Sequence, residues 1–173
     1  MIHEDKAGGS ECFEIDHFHP VSRGGSTTNY SNLYWSCRGC NSRKSNTWPS
    51  EPERESGYRF LDPCAEHDYG QHILEDYFGR LIPQTNEATY HIGYLLLNRE
   101  SRRKLRYERI DLQRRLDELQ QYIQDNALKA HSPQEHEQLN LITGQIDYLK
   151  EALRTAIPLI AIMSKSNLAE TAI

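Results

Sequence analysis

The period of apolar and polar residues changes twice along this chain. Cys12-Phe13-Glu14-Ile15-Asp16-His17 alternates, which predicts a short strand. It should end by Pro20, which cannot donate to a ladder. The polar, glycine-bearing run Arg23 to Asn29 predicts a loop, and Leu33-Tyr34-Trp35 a returning strand. Asn41 to Thr47 predicts the start of a helix or an ordered turn. Strand, loop, strand and helix in this order make a ββα unit. Pro49 to Gly57 reads as a linker by composition. Tyr58 to Leu61 predicts another short strand, closed by Asp62-Pro63. Ile73 to Ile82, with Gly79 between apolar pairs, predicts a hairpin packed on the ββα unit.

From about Glu87 the spacing becomes helical. Ala88 to Asn98 predicts one helix, and Arg99 to about Leu128 a long one carrying Leu105, Leu112, Leu116, Leu119 and Ile123. Ser132-Pro133-Gln134-Glu135 combines an N-cap serine, a proline at the first helical position and a glutamate three residues after the cap. The helix that follows has an apolar seam of Leu139, Ile142, Ile146, Leu149, Leu153 and Ile157, and Pro158 ends or kinks it. Residues 1–11 predict a polar loop, and Ile160 to Ile173 is weakly patterned. The expectation is an α+β chain in two parts. Residues 1–86 hold the ββα unit with its accessory strands. Residues 87–173 hold a helix and an antiparallel α-helical hairpin.

Composition narrows the class. The chain has 173 residues, 37% of them hydrophobic, with a mean hydropathy of −0.78. No apolar run is long enough to cross a bilayer. Met1 to Lys6 lacks a basic and apolar leader, so no signal peptide and a cytoplasmic location are expected. The net charge of −5 excludes a surface coated for nucleic acid but permits basic patches. From Pro20 to Trp48 there are four Lys or Arg and no Asp or Glu. That local excess favours Arg38, Arg43 and Lys44 as phosphate contacts over an indifferent solvated face. A second basic run, Arg99 to Arg115, holds eight Lys or Arg against three acids. It reads either as part of a nucleic-acid path or as a helix face laced with ion pairs.

The chemistry concentrates between Asp16 and Lys44. Asp16 supplies a hard carboxylate oxygen and Asn41 an amide oxygen, a pair that suits Mg²⁺ or Mn²⁺, which keep several waters. His17 is the best general base in reach, since an imidazole titrates near neutral pH. A metal, a base and nearby cations are the parts needed to hydrolyse a phosphodiester. His19 lies two residues away and reads as a neighbour of phosphate or as a bystander.

The pattern Asp-His-x-x-Pro, Gly-Gly, Asn-Leu and Cys-x-x-Cys-Asn-x-x-Lys, over roughly residues 12 to 48, resembles the HNH endonucleases, the ββα-metal nucleases. The resemblance implies a metal-dependent endonuclease acting on DNA. In it His17 is the catalytic base, Asp16 and Asn41 are metal ligands, and Asn32 braces the loop and orients the base. Asn41 stands where the family more often has His, which favours a hard cation over Zn²⁺. The order of Leu61-Asp62-Pro63-Cys64, Tyr94 to Arg99 and Leu105-Arg106 is also similar to the HNH partners of ATPases in Septu-type and retron-linked anti-phage systems. That implies a defence effector, and the seam of its helical hairpin reads first as the two helices packing on each other and otherwise as a docking arm for an ATPase or a second copy. The competing class is a non-catalytic adaptor.

Cys37 and Cys40 form half of a structural Zn²⁺ site. The family layout places a second Cys-x-x-Cys upstream of Asp16, and none is present here. Either Cys12, Cys64 or His3 completes a different site, or an upstream knuckle precedes this sequence, or the cysteines are small buried residues. A disulfide is disfavoured in a cytosolic setting. Asp62, His67 and Asp68 lack a ligand spacing and read as a polar loop.

Overall fold

The alternation at the start of the chain forms β1, Phe13–His17, which pairs antiparallel with β2, Leu33–Cys37. The computed structural model of the protein describes residues 13–66 and 68–154. Cys12, His67, Ile157, Pro158 and the segment 160–173 lie outside the described residues, as do His3 and the first eleven positions. In the register Ile15 faces Trp35 and Asp16 faces Tyr34. Side chains alternate across a strand, so Phe13, Ile15 and His17 share one face while Glu14 and Asp16 share the other.

The helix after β2 is α1, Arg38–Lys44. It begins three residues earlier than expected, directly at the strand end. Cys37 therefore closes the strand and Cys40 lies in the first helical turn. Trp48 then anchors the chain: its ring stacks on His19 at 4.2 Å and meets Phe18 and Phe60 edge-on or tilted.

Two expectations fail in the next stretch. The presumed linker contains a short helix, α2, Glu51–Glu55. Its signal is Ser50-x-x-Glu53: the Glu53 carboxylate accepts from both the Ser50 N–H and hydroxyl, and Pro52 sits in the first turn. Tyr58 to Leu61 forms no strand. Phe60 and Leu61 are instead fully buried core residues, and the Leu61 N–H donates to His91 Nδ1 at 3.1 Å rather than to a ladder.

The hairpin appears as β3, Ile73–Glu75, and β4, Leu81–Pro83. Gly79 turns it with φ +72, and a Cβ there would stand 2.5 Å from the Arg103 carbonyl oxygen. The helix α3, Asn86–Tyr94, is capped by the Thr85 hydroxyl and stops four residues short of Asn98. The reason is local. Leu96 adopts φ +49, and the Asn98 amide bonds both the N–H and the carbonyl of Leu81 at 2.8 Å, as a neighbouring strand would. Leu61, Ile73, Leu81, Ala88 and Ile92 form one core cluster.

The last two elements are α4, Glu100–Asn126, and α5, Pro133–Arg154. Leu112, Leu116, Leu119 and Ile123 of α4 meet Ile142, Ile146, Leu149 and Leu153 of α5 in a second cluster. Ser132 and Glu135 cap α5 reciprocally. The base of α4 is fixed to the hairpin by Glu75, which is buried with Arg109 at 2.6 Å and Arg106 at 3.6 Å. Among the described residues no helix is long and apolar enough to cross a membrane.

Candidate functional site

The face of β1 that carries Glu14 and Asp16 is covered by α1. Lys44, at the end of α1, places its ammonium 2.7 Å from Asp16 Oδ1 and 2.6 Å from the His17 carbonyl oxygen. Lys44 is only 4% exposed, so it faces Asp16 and not solvent, where the sequence reading expects a phosphate contact. The helix period explains this: three residues on from Asn41, Lys44 shares the inward face. Burial pushes the Asp16 carboxyl up, and the adjoining ammonium opposes that shift. Asp16 Oδ2 makes no hydrogen bond among the described residues.

His17 ends β1 and looks to the other side. Its Nε2 lies 3.3 Å from the Thr27 carbonyl oxygen. A carbonyl only accepts, so a bond there puts the hydrogen on Nε2 and leaves the Nδ1 lone pair for another proton. The loop that carries Thr27 is fastened by Asn32. Its Oδ1 accepts from His19 N–H at 2.7 Å, and its Nδ2 donates to the carbonyls of His19 at 3.0 Å and Ser26 at 2.8 Å. Gly25 lets the two arms of the loop close, since a Cβ there would stand 1.9 Å from the His19 carbonyl oxygen.

Asn41 lies on the inward side of α1 and donates from Nδ2 to Glu14 Oε2 at 3.0 Å. That bond leaves the Asn41 amide oxygen to act as a donor atom. Glu14 also accepts from Arg38 at 2.8 Å, and these two bonds, Arg38 first, hold its carboxyl below the usual range. Sequence reasoning did not single out Glu14, which bonds the candidate ligand Asn41. Its signal was available, since it stands two positions before Asp16 and so shares its face. The oxygen atoms of Asp16 and Asn41 fit a hard divalent cation that takes few protein ligands. Arg43 is exposed, and its guanidinium returns to the Gly39 carbonyl of its own helix.

Cys37 and Cys40 are together. The Cys40 thiol donates to the Cys37 sulfur, which drives Cys37 down to about 5 and Cys40 up. Arg102 Nη2 lies 3.5 Å from the Cys37 sulfur, a contact from 65 residues away that no sequence pattern signalled. Among the described residues no group of three or more His, Cys, Asp or Glu converges on a metal. The described donors therefore supply two of the four that a structural Zn²⁺ needs. Cys64 does not join them: it is exposed and lies beside Tyr34 and Asp62, whose carboxylate accepts the Tyr34 hydroxyl at 2.7 Å. Asp68 caps a turn at Gly70 and Asp62 caps Cys64, the polar-loop roles expected of them.

Comparison with known proteins agrees with the centre of this description. No curated protein and no solved structure matches the chain. The family model for HNH endonuclease matches residues 3–47, a span that contains Asp16, His17, Asn32, Cys37, Cys40, Asn41 and Lys44. This segment is thus similar to HNH endonucleases, which are nucleases that hydrolyse phosphodiester bonds.

Proposed function

We propose that this protein is a metal-dependent HNH endonuclease of DNA, with a ββα-metal core in residues 1–86 and helices in 87–173 that end in an antiparallel hairpin. The observation that carries the reading is the division of labour around β1. The oxygens of Asp16 and Asn41 stand where β1 meets α1, and His17 follows as the last residue of β1, where the turn into the loop can bring base and metal ligands towards one phosphate, with its Nε2 directed at Thr27 O. Asp16 and Asn41 would hold Mg²⁺ or Mn²⁺, which offsets charge growing on the phosphate and the leaving oxygen. His17 accepts a proton from the attacking water at Nδ1. Asn32 acts as a positioning residue: by tying His19 to Ser26 it sets the loop whose Thr27 carbonyl orients the imidazole. Lys44 holds Asp16 in place, and Arg38 and Arg43 stand on the exposed side of α1 for the DNA backbone.

The finer setting is proposed from resemblance. The nuclease acts in the cytoplasm as the effector of an anti-phage system, with an ATPase partner bound through α4 and α5. Exposed Leu141 and Tyr148, outside the shared seam, favour such docking. Structural Zn²⁺ at Cys37 and Cys40 needs donors from outside the described residues. The deciding experiment is plasmid cleavage by the purified protein in Mg²⁺, Mn²⁺ or EDTA, with His17→Ala beside it. Metal-dependent nicking that the variant loses supports the assignment. Full activity in the variant overturns it.

A further inference from the structure

The eight cationic residues between Arg99 and Arg115 look uniform in the sequence, and the fold separates them. Arg106 and Arg109 are buried on Glu75. Arg114 and Arg115 pair with Asp111, and Arg114 also with Glu118. Arg99 and Arg102 have no carboxylate partner among the described residues. They are carried instead to the nuclease helix α1. Arg99 Nη2 and Arg43 Nη1 lie 3.9 and 3.3 Å from where a Cβ of Gly39 would stand. Arg102 reaches the Cys37 sulfur. Arg43 likewise lacks a carboxylate there and bonds only the Gly39 carbonyl.

Three guanidinium groups from two distant parts of the chain thus meet on one side of α1. Like charges this close repel: burial first, and then the charges of Arg102 and Arg43, disfavour the charged form of Arg99. In a chain of net charge −5, an uncompensated cluster beside the candidate site has one evident complement, a polyanion. We infer that Arg43, Arg99 and Arg102 form a composite surface for the phosphate backbone of the nucleic acid, so that the base of α4 is part of the substrate path. This rests on the nuclease reading for the substrate's identity, and a binding measurement tests it separately from cleavage.

The test is fluorescence anisotropy of a labelled DNA duplex with the full chain in EDTA, across a salt series. Arg43→Ala, Arg99→Ala and Arg102→Ala are each expected to reduce the slope of log affinity against log salt by about one. Arg102→Lys keeps the charge and should restore the slope. Arg114→Ala, on the same helix but paired with Asp111 and Glu118, should bind as the parent does. Melting temperatures are recorded for all. Arg43 is exposed and bonds only its own helix, so its variant folds and keeps the test decisive if Arg102→Ala does not. Parent-like slopes in the alanine variants, or an equal loss in Arg114→Ala, overturn the inference. Parallel assays in Mg²⁺ separate the two readings: binding that depends on these arginines without any cleavage keeps the surface and removes the nuclease. Cleavage with arginine-independent binding does the reverse.

Discussion

Lys44 and Asp16 are 28 residues apart and form a nearly closed ion pair, Nζ to Oδ1 at 2.7 Å, between the last turn of α1 and β1. The side chains are 5% and 12% exposed. The pair joins helix to strand and fixes the carboxylate that the proposed mechanism needs. Breaking a buried pair by removing one partner leaves an uncompensated charge, a loss of about 3–5 kcal/mol for a dry site. Lys44→Met should therefore lower the stability of the protein by about 3 kcal/mol, read from the denaturant midpoint. A midpoint equal to that of the parent would mean that Asp16 does not need the ammonium.

Asn32 makes its contribution through the loop. Its three bonds all end on backbone groups of His19 and Ser26. Asn32→Ala leaves those groups unpaired at a largely buried position, with a destabilisation of about 1–3 kcal/mol. Amide exchange of His19 should accelerate, and DNA cleavage should fall while Mg²⁺ affinity holds. Unchanged exchange at His19 would remove the bracing role. A loss of Mg²⁺ affinity would point to a direct part in the metal site.

Glu75 is the anion on which the hairpin and α4 converge, with a side chain only 1% exposed. Arg109 Nε and Nη1 have no other partner among the described residues. Glu75→Ala strands the buried Arg109 guanidinium, while Arg106 keeps its bonds to the Gly79 and Leu97 carbonyls, and a loss of about 3–5 kcal/mol is expected. Double replacement of Glu75 and Arg109 by Leu and Met should recover much of it. Thermal unfolding of the three proteins checks this, and a double variant no better than the single would refute the pairing.

His91 gives the fold a pH dependence. It is half-buried against Phe60, accepts from the Leu61 N–H, and desolvation holds its pKa down to about 4 against an ordinary 6.5. The unfolded chain therefore binds one more proton between these values. Stability from this group is complete above pH 6.5 and is lost as pH falls towards 4, by up to about 3 kcal/mol. A series of melting temperatures from pH 7.5 to 4.5 should show the decline, and His91→Gln should flatten it. A parallel decline in both proteins would assign the effect to other groups.

Local order was legible where neighbouring residues decide it. The alternation in Phe13 to His17 and the step of Leu112 to Ile123 were enough to locate β1 and the seam of α4. So was the cap at Ser132, whereas the Ser50-Glu53 signal lay hidden in a run rich in proline and glutamate that reads as a linker by composition. Tyr58 to Leu61 was not legible, because its burial depends on α3 and on His91, 30 residues later. The sequence by itself determined which chemical groups are proposed for the site, Asp16, His17, Asn32 and Asn41, since their types and spacing are local facts. Only the tertiary structure decided what those groups face. Charge is a property of a side chain, but its partner is a property of the fold. That is why Lys44 turned inward to Asp16, Arg106 and Arg109 went to Glu75, and Arg99 and Arg102 came to lie beside Arg43 with no carboxylate among the described residues to meet them.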